Sequence, residues 1–178
     1  MRPLSETSFV EQLKDSRKPI TFTYVRHPGY YAAFSAAPEP ITVQQRLGLT
    51  FLWTPSRGVL LQSQTGGHET AWGTSTGGDL PYEAGGLEAD YIDGGATVRY
   101  PLPGGRQKQI EFAQDRIRVR VEGRGDVVEQ LPVFDPACIS SPAQRSVEVQ
   151  AESPVPGKNF SVVKLRASGK LEYEIHPA

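Results

Sequence analysis

The chain has 178 residues, eighteen glycines and fifteen prolines among them, and that density of helix breakers excludes a helical bundle. Nineteen basic against twenty acidic side chains leave a net charge of −1, which is no footprint for DNA or RNA, so no nucleic-acid partner is expected. Hydrophobic residues make up 38 % of the chain, enough for a core, but apolar stretches such as Gly48 to Trp53 are far too short to span a bilayer, and no membrane partner is expected.

The first residues, Met1 to Thr7, lack the apolar segment of a secretory signal, so the chain reads as a protein that stays inside the cell or as a mature or excised portion. The single cysteine, Cys138, has no internal partner and leaves the redox compartment open. Ser5 or Ser8 followed by Phe9, Val10, Glu11 and Leu13 predicts a short helix ended by Pro19, which makes residues 1–18 a helical extension. From Ile20 the period is two: Ile20, Phe22 and Tyr24 alternate with Thr21, Thr23 and Val25. His27-Pro28-Gly29 is a turn signal, and Tyr30 to Phe34 completes a hairpin over 20–35.

Further strands are expected at Arg46–Trp53, Gly58–Gln64, Leu87–Ile92, Ala96–Tyr100, Lys108–Phe112, Arg116–Glu122, Val127–Phe134, Val147–Glu152, Ser161–Ala167 and Leu171–Ile175. Thr65 to Gly86 is rich in Gly, Thr and Ser and reads as a mobile loop. Short strands separated by Gly and Pro predict an all-β fold, a two-layer antiparallel β-sandwich forming one domain over 1–178 with at most a short N-terminal helix. Parity sets two registers. A loop of Ser168-Gly169-Lys170 places Leu165 opposite Tyr173 and Arg166 opposite Glu172, and a loop of Ala113 to Arg116 places Glu111 opposite Arg118.

The chemistry-bearing patterns are sparse. Arg116, Arg118 and Arg120 alternate with Ile117, Val119 and Val121, which is a stripe for a polyanion or a solvated face balanced by Glu111 and Glu122. His27, His68 and His176 lack metal-ligand spacing, and Asp90 to Gly95 lacks the alternating oxygens of a calcium loop, so no metal site and no cofactor are expected. No Gly-x-Ser-x-Gly elbow or phosphate-binding glycine loop occurs. His27 with Tyr30 or Tyr31, or His68 beside a tyrosine, is suited to β-elimination on a uronate, and as strand residues His27, Tyr30 and Tyr31 have an ordinary structural reading.

Three strings, Val25-Arg26-His27-Pro28-Gly29-Tyr30-Tyr31-Ala32-Ala33-Phe34, Gln45 to Trp53 and Gly58 to Gln64, with Asp115 to Phe134 following the pattern loosely, resemble the β-rich C-terminal region of heparinase II/III-like polysaccharide lyases. The resemblance implies a sandwich that accompanies glycan processing. In that family the chemistry resides mainly in a helical toroid and a central β-sandwich region. The toroid and the zinc-site histidine pair have no counterpart here, and no catalytic residue carries over. The reading is then a non-catalytic module for carbohydrate recognition or polysaccharide processing, extracytoplasmic if it is an excised part of a lyase. Its partners would be an oligosaccharide or polysaccharide and a helical lyase domain or subunit. The alternative is a lyase, or a lyase subunit, that uses a His/Tyr pair. Ligand contacts are assigned to the aromatic faces of Tyr30, Tyr31, Trp53 and Trp72 and to the polar groups of Arg46, Gln62, Gln64 and His68. Trp72 is the most informative of these, since half exposure beside a concave surface favours binding and full burial favours a structural module, whereas Tyr31 and Trp53 have burial in the core as their alternative.

Overall fold

The computed structural model describes residues 7–40, 46–63, 70–77 and 80–178. Within them the chain is all-β: β1 (Phe9–Lys14), β2 (Thr21–His27), β3 (Tyr30–Ala36), β4 (Gly48–Thr54), β5 (Gly58–Gln62), β6 (Gly73–Ser75), β7 (Asp90–Ile92), β8 (Thr97–Leu102), β9 (Arg106–Phe112), β10 (Ile117–Val133), β11 (Ile139–Ser140), β12 (Gln144–Val149) and β13 (Ser161–Ile175). Every pairing is antiparallel, and the main path runs β1-β2-β3-β4-β5-β10-β9-β8-β7. The sheet curls because β10 serves both ends of it. Its first half pairs β9 and its second half meets β6 and β5, while β13 follows its other edge throughout. Phe34 of β3 meets Tyr100 of β8 across the core, ring centroids 6.2 Å apart, and Ala37 bridges to Leu87.

Three sequence expectations are corrected. The N-terminal helix is absent from the described residues, because Phe9–Lys14 is strand β1, laid along β2 from Phe9↔Arg26 to Lys14↔Thr21. An isolated segment of that length does not pay the cost of helix nucleation, whereas the open edge of β2 offers it a ready ladder. The loop from Thr65 to Gly86 is not open along its described part: Ala71 and Trp72 are buried, β6 pairs β10, and a 3-10 turn at Tyr82–Gly85 carries a buried Glu83.

The third correction concerns the expected hairpin of 163–175, which is one continuous strand. Leu165 lies opposite Glu129 and Tyr173 opposite Val119; Arg166 lies opposite Val128 and Glu172 opposite Arg120. The residues read as a loop form a bulge in which Gly169 (φ +82°) faces the stretch Gly123-Arg124-Gly125, so the turn expected there in β10 is absent as well. A glycine suits that left-handed backbone without steric cost. The other register holds, with Ile117↔Phe112 and Arg118↔Glu111.

The arginine stripe is paired. Arg116 and Arg118 each reach Glu174 at 3.0 Å, Arg118 also meets Glu111 at 3.3 Å, and Arg120 binds Glu172. Hydrogen bonds from Arg118 and Arg116 hold Glu174 below the ordinary 4.5, and Lys170 and Arg120 do the same for Glu172. A carboxylate depressed in the folded state adds stability that is present at neutral pH and is lost as pH falls below that ordinary value. Melting curves between pH 7 and pH 3 are therefore expected to show a loss that molar salt flattens; an identical loss at low and high salt would show that the stripe contributes nothing.

Candidate functional site

The outer face of β1–β5 is aromatic. Cross-strand register lines up Phe9, Arg26, Tyr31, Trp53 and Val59 in one row and Glu11, Tyr24, Ala33, Phe51 and Gln62 in the next. The inner face of β2 holds Thr23 and Val25, both fully buried, so its aromatic residues point outward and its β-branched ones inward. Phe22 is 37 % exposed and Trp53 40 %. Phe22, Tyr24 and Tyr31 form a near-parallel series, centroids 6.4 and 6.2 Å apart at 8° and 13°. Beside it lies a groove of about 430 Å³ lined by Arg26, His27, Pro28, Tyr30, Tyr31, Phe51, Trp53 and Pro55. The Arg26 side chain makes no hydrogen bond or ion pair with any described residue, and no carboxylate lines the groove.

Of the sequence-predicted contacts, Tyr31, Trp53 and Gln62 come together on this face. Tyr30 does not. It is buried on the opposite side of β3, where its hydroxyl donates to the Ala113 carbonyl at 2.7 Å. Trp72 is buried as well, donating through Nε1 to the Tyr173 hydroxyl at 3.1 Å, so its assignment to a ligand is corrected. Arg46 stands at the other end of β4 from Trp53, its carbonyl accepting from Ser35 Oγ. Gln64 and His68 lie outside the described residues. Sequence reasoning missed Arg26, Tyr24 and Phe51. The signal was Arg26 itself: it shares its parity with Phe22 and Tyr24, and an arginine on a strand of a small sheet marks the solvent side.

Of the groups weighed for elimination chemistry, His27 and Tyr30 are engaged by the fold. His27 Nε2 faces the Phe112 carbonyl at 3.2 Å, so in the neutral ring Nε2 carries the hydrogen and Nδ1 accepts from Ser8 Oγ at 3.0 Å. Burial, followed by the nearby Asp115 and Glu111 charges, pushes the Tyr30 hydroxyl far above its ordinary value, which removes it as a base near neutral pH.

A second constellation was invisible in the sequence. Lys108 of β9 is fully buried, with Nζ 2.6 Å from Glu129 Oε1, 2.9 Å from Glu83 Oε1, 2.9 Å from Thr74 Oγ1 and 3.5 Å from the Trp72 ring centroid. Glu129 also accepts from Tyr173 at 2.8 Å and from Thr74 at 2.6 Å, and Glu83 from Tyr100 at 3.0 Å and from the Thr74 amide at 2.8 Å. Both carboxylates are sealed from solvent, so this cluster is no substrate pocket. Among the described residues no group of three His, Cys, Asp or Glu side chains is placed to hold a metal ion. No protein-family model matches the chain, and no curated protein matches it in sequence.

Proposed function

We propose that the outer face of β2–β5 is a glycan-binding platform and that the chain acts as a non-catalytic module for carbohydrate recognition in polysaccharide processing. The observation that carries this reading is the row Arg26–Tyr31–Trp53, which sets an unpaired guanidinium, a half-buried Tyr31 ring and an exposed Trp53 ring along one groove. Aromatic faces take up the apolar side of a pyranose, and a guanidinium binds hydroxyls or carboxylates at its edge. The binding reading is favoured over the lyase alternative because His27 and Tyr30 have their polar atoms committed to the fold. A contiguous apolar patch left in water is itself a mark of a contact surface.

The test is affinity electrophoresis through gels holding neutral and acidic polysaccharides. Tyr31→Ala and Trp53→Ala are each expected to weaken binding several-fold, in line with about 1 kcal/mol per stacking contact, while both variants keep the wild-type melting temperature. Arg26→Gln is expected to weaken binding to acidic polymers. Absence of retardation by any polysaccharide, with the face protected from exchange only when a helical lyase domain is added, would make it an interdomain surface instead.

A further inference from the structure

The Lys108 cluster is assembled like a reaction site. We propose that Lys108 and Glu129 condense after folding into an intramolecular isopeptide bond, with Glu83 as the proton carrier. Nucleophile, electrophile and carrier are all fully buried, and Oε1 of each of the two carboxyl groups lies within 2.9 Å of Nζ. Holding reacting groups together in this way removes most of the entropic barrier of a bimolecular condensation.

Charge counting gives each group its part. One ammonium and two carboxylates would leave a net negative charge in a dry core, so one carboxyl holds a proton. Burial raises Glu129, against the pull of Lys108, and a protonated carboxyl accepts amine attack where a carboxylate does not. Its two oxygens also receive the Tyr173 and Thr74 hydroxyls, donors placed for the oxyanion that develops on attack. Three donors converge on Glu83, the Thr74 amide, Tyr100 and Lys108, while the Thr74 hydroxyl gives its one hydrogen to Glu129.

The step balances without an oxidant or a co-reactant. Lys108 passes one proton to Glu83 and becomes a free amine; Nζ attacks Cδ of Glu129 and the N–C bond forms. Glu83 gives its proton to the departing hydroxyl and takes one from the nitrogen. The C–O bond breaks, water leaves, and Glu83 ends protonated beside a neutral amide. Two buried charges are gone, and hydrolysis is disfavoured where water has no access. Three acceptors and the Trp72 ring surround Nζ only in the fold, so the bond is expected to form in the folded protein and not in the unfolded chain.

The experiment is the mass of the intact denatured chain after prolonged storage in the folded state. The expected mass is that of the sequence less one water molecule, with a tryptic product in which Gln107–Arg116 is joined to Gly125–Arg145. A succinimide at Asp93-Gly94 would lose the same mass, so the joined peptide is the deciding signal. Glu83→Gln keeps the shape and removes the carrier, and is expected to stay at full mass with an unchanged β-sheet spectrum. Wild-type protein at full sequence mass would overturn the proposal, whether or not Glu83→Gln folds. A peptide joined through Glu83 would overturn the choice of Glu129 as acceptor, and complete joining in Glu83→Gln would overturn the carrier.

Discussion

Lys108→Met is expected to lower the stability of the domain by about 3–5 kcal/mol, because removing one partner of a buried ion pair leaves the other charge uncompensated. Here two carboxyl groups are stranded, Glu83 and Glu129, both sealed from solvent. Small domains have only about 5–15 kcal/mol in total, so the variant sits near its unfolding threshold. The pH dependence identifies the cause. Burial already raises Glu129 and Lys108 is what draws it down, so without the amine it rises further. A group raised on folding adds stability below its unfolded value, here 4.5, and that stability drains away as pH climbs through the folded value. The denaturation midpoint of Lys108→Met is therefore expected to be higher at pH 5 than at pH 8. Adding Glu83→Gln and Glu129→Gln to it should flatten the profile and recover part of the loss. A single variant as stable at pH 8 as at pH 5 would show that water reaches the carboxylates.

The all-β class was legible because alternation and turn chemistry are local. Pro28-Gly29 closes β2 onto β3 at His27↔Tyr30, and the Ala113–Arg116 loop sets Glu111 against Arg118, as parity requires. Parity failed at 163–175 for a definite reason. A hairpin with an odd loop and an unbroken strand send the same residues to the same face: Leu165 and Tyr173 are both buried, and Arg166 and Glu172 both point away from the core. Only the partner strand separates the two, and β10 supplies it, with its own glycines at 123 and 125 opposite Gly169.

The candidate platform was half legible. Tyr31, Trp53 and Gln62 were marked by residue type, but their neighbours come from strands whose order no local pattern encodes. On β2 the usual hydrophobic ranking points the wrong way, since the aromatic residues face solvent and Thr23 is fully buried. The Lys108 cluster was out of reach because its members come from six separate segments, those of Thr74, Glu83, Tyr100, Lys108, Glu129 and Tyr173. Glu83 lies within a segment that reads as an open loop, and Lys108 and Glu129 sit among residues that read as ordinary strand polar groups.

Trp72 separates fold from function most sharply, and Trp72→Ala is expected to cost about 3–5 kcal/mol of stability without altering the platform. The indole lies under the sheet, not on a loop in water: its amide donates to Ser63 Oγ at 3.0 Å, its Nε1 to Tyr173, and its ring carries the Lys108 ammonium. Gly48, at φ +86°, presses against the six-membered ring so closely that any Cβ there would overlap Cζ3. Removing the indole opens a large cavity, releases the Tyr173 hydroxyl and uncovers one side of the cluster. Thermal melts of Trp72→Ala and Tyr31→Ala should then diverge, the first falling steeply and the second not at all. In affinity gels run well below both melting temperatures the order reverses, with Trp72→Ala migrating like wild type and Tyr31→Ala moving faster. A Trp72→Ala protein that melts like wild type yet no longer binds would return the indole to the ligand and end the assignment of binding to the outer face.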